Sequence, residues 1–455
     1  MDYSEKRELI LKGNMTKVIL TLAIPIMLNN LVQTMYNLAD TFWVSKIGKI
    51  EVAATTFVWP VLFLIISIGM GINVSGTALI SQYIGAGNKK NADMIAGQIF
   101  SFSMIFALVF AVCGYFCTPF IVSGMGAQGS LFTSSCKYLS IMFFDIPFLF
   151  ITYIFTAIKQ SQGDTLAPMI INVSGAVLNI ILDPVFIFNF NLGIGGAAAA
   201  TVLSKAVFTF YIVHALFKSR EGVRLTLSNL RPKKKLILRI LKIGLPASIG
   251  QSGEALGFII LNIFIAAYGN STLAAFGIGN KINSVIMMPA LGIGSALSAI
   301  AGQNIGANQI GRVKEAFKTS IKLSLIMLIA GGTVMFILSH DIIRAFTLDK
   351  DVLKEGTYYL KLISAAVPLM GIFEVCLGIF QGSGHTFYCM VMEMTRLWGI
   401  RLPMIVLLQK FTDIGSSAVW YSMISSNAII CVIGILIYLS GRWQKKDITS
   451  IIQKE

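Results

Sequence analysis

Long apolar runs separated by short polar connections fill the chain from end to end. A helix needs about 20 apolar residues to cross a bilayer. Twelve runs qualify, at about 17–45, 52–80, 93–116, 136–158, 166–189, 195–217, 237–268, 273–302, 315–339, 357–379, 387–410 and 416–440. The few polar positions inside them recur at helical steps. In the first run Asn30, Gln33, Asn37 and Asp40 stand three, four and three apart, so one helix face carries them all. In the fifth run Asn172, Asn179 and Asp183 follow at steps of seven and four, with Pro184 next. Thr201 adds a hydroxyl in the sixth, inside GGAAAATVLSKA, whose alanines permit close helix approach. An acid at the bilayer centre costs about 2.5–3.5 kcal/mol, so Asp40 and Asp183 are expected to face a water-filled cavity or a partner. For Asp40 the alternative is a place at the membrane surface that merely ends its helix; Asp183 lies too far inside its run for that.

The pattern repeats itself. A constant shift of 221 residues lays Pro25 on Pro246, Gly48 on Gly269, Gly71 on Gly292, Tyr138 on Tyr359, Pro147 on Pro368 and Ser204 on Ser425. It also lays Gln82-Tyr83-Ile84-Gly85-Ala86 on Gln303-Asn304-Ile305-Gly306-Ala307, with no gap from Pro25 to Ser204. Six spans per half is an even number, so both halves insert the same way up, as in parallel-repeat transporters. The expected fold is an all-α membrane protein with twelve transmembrane helices in two six-helix bundles, related by a pseudo-twofold axis along the membrane normal. The amino-terminal lobe is 1–217, the linker 218–236 and the carboxy-terminal lobe 237–455. Two such bundles leave a central cleft that rocking exposes alternately.

Composition agrees: of 455 residues 55% are hydrophobic and 13% charged, with a mean hydropathy of +0.77, against about 25% charged in soluble domains. The net charge of +15 does not form a nucleic-acid-binding domain, because the bases sit between the apolar runs. The segment 218–239 alone carries Lys218, Arg220, Arg224, Arg231, Lys233, Lys234, Lys235 and Arg239. Positive connections mark the cytoplasmic side, which places both termini and the linker there, in the cell membrane. Residues 1–16 resemble no cleavable signal, so the first helix is expected to stay in the mature protein. The six cysteines and three histidines form no metal or disulfide pattern, and no nucleotide or hydrolase motif occurs on a soluble domain. No enzyme activity, cofactor or bound metal is expected.

The two halves differ where chemistry is expected. Asn30 falls on Gln251 and Gln33 on Glu254, whereas Asn37 and Asp40 fall on Phe258 and Leu261. Each lobe thus has its own acid at its own height, Asp40 in the first and Glu254, beside Gln251, in the second. Pro25 and Pro246 each remove a helix hydrogen bond and are candidate hinges. Lys205, one turn after Thr201, either pairs with Asp183 or snorkels outward, and the outward course is the expected one. Lys281, Arg396 and Arg401 are candidate partners for Glu254, Glu374 or Glu393. Two carboxylates with an amide and a hydroxyl suit either a proton or a hard cation such as sodium.

These features resemble the multidrug and toxic compound extrusion (MATE) transporters, closest to their DinF-like bacterial and archaeal branch. The resemblance rests on the twelve spans, the paired QYIGAGN and QNIGANQ loops and GGAAAATVLS. It implies an amino-lobe cation site at Asp40, Asn179, Asp183 and Thr201, a cavity tyrosine at Tyr138 and a bending helix at Pro25. Glu254 corresponds to a glutamate of the family's NorM-like branch; the tenth-helix aspartate of that branch is missing here, with Glu374 one turn away. The expected function is export of amphipathic, often cationic organic compounds, by a monomer, in exchange for H+ or Na+. The alternatives are a flippase for lipid-linked precursors of the same superfamily, and a passive channel.

Overall fold

The computed structural model describes residues 2–219 and 222–444; Arg220 and the tail from residue 445 lie outside the described residues. Among the described residues the regular elements are all helical: α1 (Tyr3–Lys12), α2 (Met15–Ser45), α3 (Lys49–Gly85), α4 (Lys89–Gly124), α5 (Gly129–Phe143), α6 (Ile146–Ser161), α7 (Leu166–Pro184) and α8 (Ile194–Lys218). After the linker come α9 (Lys234–Ala266), α10 (Asn270–Gly306), α11 (Ile310–Ile337), α12 (Ser339–Phe346), α13 (Lys350–Gly382), α14 (Thr386–Met394), α15 (Leu402–Phe411) and α16 (Ser417–Leu439). Ten of them are long and apolar enough to cross a membrane alone. The bent pair α5–α6 adds one crossing. The unbroken helical path through α14, a π-helical segment (Thr395–Arg401) and α15 supplies the twelfth. Its apolarity is diluted by Glu393, Arg396 and Arg401.

The fourth crossing departs from expectation. Instead of one straight run over 136–158, two helices covering 129–161 meet at 46°. Pro147 in the first turn of α6 has no N–H to continue the α5 ladder, so a new helix starts there. Asp145 sits in the break. Two short helices, α1 and α12, lie outside the expected spans.

The repeat is visible in backbone geometry. The α3–α4 connection turns through Gly87 at φ 71° and the α10–α11 connection through Asn308 at φ 62°, positions one shift apart. Both close alike, with Asn88 N donating to Tyr83 O at 2.9 Å and Gln309 N to Asn304 O at 2.8 Å. This left-handed closure satisfies the last carbonyls of a helix. Gly163 and Gly384 repeat the relation at φ 77° and 82°.

The chain divides into two compact units. Unit 1 is the chain up to Leu9 together with Leu28–Ser248; unit 2 is Ile10–Met27 together with the chain from Ile249 onward. The divisions fall inside helices and not in the loops: within α1 between Leu9 and Ile10, and within α2 and α9 two residues past Pro25 and Pro246. In unit 1, Arg7 of α1 donates to the α3 carbonyls of Ile84 and Gly85, both at 2.9 Å, and Lys6 pairs with Asp164 at 3.0 Å. In unit 2, Arg312 donates to Gly13 O at 2.8 Å, and in the core Phe276 stacks on Trp420 while Tyr359 meets both rings at an angle.

Candidate functional site

In unit 1, the polar positions of α2, α7 and α8 meet. Asp183, in the last turn of α7, is fully buried at 0% exposure. One turn earlier, buried Asn179 has its amide oriented by its surroundings: the nitrogen donates to Asp183 Oδ2 at 3.0 Å, and the oxygen accepts from Thr201 N at 3.0 Å. That exchange ties α7 to α8. Thr201 Oγ1 in turn meets Tyr36 Oη of α2 at 3.4 Å. Asp183 Oδ1 and Asp40 Oδ1 are both buried without a hydrogen-bond partner. Tyr36 and the buried Tyr138 of α5 both lie in the electrostatic field of Asp40, Asp145 and Asp183. After Pro184 the helix widens into a π-helical turn, Val185–Asn189. Such segments are frequent at functional sites.

Asp40, Asn179, Asp183, Thr201 and Tyr138 are thus gathered in one neighbourhood. The supporting amides are not. Gln33 and Asn37 are exposed and hydrogen-bond each other at 3.3 Å, while Asn30 and Asn172 are half-buried outside the Asn179–Thr201 network.

Two residues went unread in the sequence. Tyr36 precedes Asp40 by one helical turn, on the same face, and that spacing was the available signal. Asp145 hides in IMFFDIPFLF, where one acid barely lowers a window of hydropathy. It corrects the expectation for Lys205, which neither pairs with Asp183 nor snorkels outward. Lys205 Nζ is paired with Asp145 Oδ2, and the aspartate side chain is 5% exposed. This fixed lysine neutralises Asp145, one of the two fully buried acids of unit 1. Asp40 and Asp183 remain without a cation, a costly state for carboxylates out of water, so the arrangement suits a proton or a small hard cation held by oxygen atoms. Among the described residues no group of three or more His, Cys, Asp or Glu is placed to hold a metal ion.

Unit 2 is built differently. Glu254 of α9 is paired with Arg396, whose guanidinium also lies over the Phe373 ring at 4.6 Å. Gln251 Nε2 donates to Glu393 Oε1 at 2.8 Å. Arg401 is held by Ser426 at 3.0 Å and Asn427 at 2.8 Å, and Lys281 is exposed on α10. Glu374 is half-buried on α13, within electrostatic reach of Glu254 and Arg396. Of the candidate bases, Arg396 therefore takes Glu254.

The MatE family model matches this chain twice, over residues 25–185 and 246–407, beginning each time on the proline of the repeat. "Probable multidrug resistance protein YoeA" of Bacillus subtilis (strain 168) is 30% identical over 442 residues, spanning 94% of each protein. "Probable multidrug resistance protein NorM" of Thermotoga maritima is 26% identical over 95% of this chain and 94% of that protein. A crystal structure of MATE in complex with MaL6 superposes with a TM-score of 0.89 at 26% identity, covering 98% of this chain and 99% of that one. Two matches in register with the internal repeat, and relatives similar over nearly their whole length, lead to one conclusion: this multi-pass membrane protein belongs to the MatE family, whose members are transporters and not enzymes.

Proposed function

We propose that the chain is a secondary active multidrug efflux antiporter. It exports amphipathic, often cationic organic compounds in exchange for H+ or Na+, by alternating access. The observation that carries the reading is the pair Asp40 and Asp183, each with a buried oxygen that lacks a partner, beside Asn179 and Thr201. The multidrug resistance names of the relatives support the substrate class. Both termini and the 218–236 linker face the cytoplasm on this reading, as the positions of the bases support.

In the cycle, an ion that neutralises Asp40 and Asp183 is taken up from outside and released inside. Each inward elementary charge supplies about 2.3 kcal/mol per 100 mV. Drug and ion weaken each other's binding, and linkage makes that penalty reciprocal. Pro25, two residues before the point where α2 passes from one unit to the other, is the bending point of the proposal.

Efflux from proteoliposomes under an imposed proton or sodium gradient, one at a time, tests the function. Transport saturates and collapses with one of the two gradients. Asp40→Asn and Asp183→Asn each abolish it while leaving the protein in the membrane. Normal coupled efflux by both variants rejects the site, and uncoupled currents in the wild type reject antiport.

A further inference from the structure

Unit 2 contains a buried carboxyl group that pairs with no base among the described residues. Glu393 of α14 is 1% exposed. Its Oε1 accepts from Gln251 Nε2 at 2.8 Å, and its Oε2 is buried with no hydrogen-bond partner. The reason is the backbone of α9: a methyl group placed on Gly250 would fall 1.9 Å from Oε2, so the glycine lies directly on that oxygen. Gly253 and Gly257 lie in the same manner against Met394 and Leu397. Three glycines at steps of three and four therefore form the face on which α9 meets α14 and the π-helical segment. The indole of Trp398 donates to Gly253 O at 2.8 Å across the same face.

The charges around Glu393 do not balance. Glu254 faces it from α9, Glu374 from α13, Cys389 from α14 itself and Arg396 from the π-helical segment. Arg396 is the one base in this group, and its Nη2 is on Glu254. Glu393, almost wholly shielded from solvent, keeps a neutral amide as its hydrogen-bonding partner and two acids as neighbours. A carboxylate in that position is unstable as an ion. A proton on Oε2 removes the charge and leaves Oε1 free to accept from Gln251.

We infer that Glu393 is a proton-binding group of unit 2, neutral while Gly250 covers Oε2 and ionised when that oxygen meets water. The proton comes from water and returns to it, and no other bond changes. In transport, Glu393 would carry a proton of its own, separate from the ion on Asp40 and Asp183. That role rests on the antiport reading, whereas the protonation itself does not. Glu393 aligns through the repeat with Asn172, which cannot ionise, so the feature belongs to one half of the chain alone.

The test is infrared difference spectroscopy of the purified full chain in nanodiscs during an alkaline pH jump, wild type against Glu393→Gln. The glutamine matches the protonated acid in shape and still accepts from Gln251. The expected result is the loss, in E393Q, of a protonated-carboxyl band worth one group per protein. Superimposable spectra would overturn the inference. Should E393Q not elute as a single species, Glu393→Asp keeps the carboxyl and withdraws it from Gly250; the band then shifts, and an unshifted band overturns the inference equally. Absence of coupled efflux in a wild type that still shows the band would reject antiport and leave the proton site standing.

Discussion

Lys205→Met probes the most unexpected contact of unit 1. Asp145 depends on that lysine, because its Oδ1 has no partner and its Oδ2 is held by Lys205. Removing one member of a buried ion pair costs about 3–5 kcal/mol, since the remaining charge is left uncompensated. The Lys205 side chain keeps 30% of its exposure, and solvent screens that end, so the expected loss lies at the low end, about 3 kcal/mol. Asp145→Asn combined with Lys205→Met removes both charges and should cost only about 1 kcal/mol. Within this mutant cycle the double variant should therefore be about 2 kcal/mol more stable than Lys205→Met alone. Reversible unfolding of the purified protein in mixed micelles, titrated with sodium dodecyl sulfate, measures all four corners. If Lys205→Met changed stability by less than about 0.5 kcal/mol, the range of exposed pairs, the pair would be an incidental surface contact and the charge balance drawn for unit 1 would be wrong.

Other consequences are open to direct measurement. Asn179→Leu strips Asp183 of its donor and Thr201 N of its acceptor, and should cost about 1–3 kcal/mol in the same unfolding assay; it should also depress coupled efflux more than drug binding. Gly257→Ala drives a methyl to 2.1 Å from a Leu397 methyl, an overpacking expected to cost about 1–3 kcal/mol, whereas Gly277→Ala meets open space and should lower the melting temperature far less. Arg7→Ala releases the carbonyls of Ile84 and Gly85; hydrogen exchange in the 82–88 turn should then rise several-fold, and unchanged exchange would mean that the arginine holds nothing in place.

How much of this was written in the residues depends on the range of the interaction. Ten of the crossings follow from apolar length alone, and the duplication from a fixed register, since Gly87 and Asn308 close the same turn. Asp183, Asn179 and Thr201 were legible because helix periodicity puts the first two on one face and a small-residue helix passes close to them. Lys205 with Asp145 was not legible, because the two lie sixty positions apart and meet only through the bend before Pro147. Gln33 and Asn37 share a helix face with Asp40 yet stay exposed, since a face wider than the packed contact leaves some of its residues outside. Glu393 and Arg396 stand three apart, which suggests a local pair. The π-helical segment that begins at Thr395 instead turns the arginine to Glu254 on another helix.

The seating of α1 has a practical side. Lys6 and Arg7 anchor the opening helix to Asp164 and to the end of α3, all within the first dozen residues. An affinity handle or fluorescent fusion placed ahead of Met1 would hang from that anchored helix and pull on the turn beneath it. Fusing at the carboxyl end instead leaves the opening helix undisturbed.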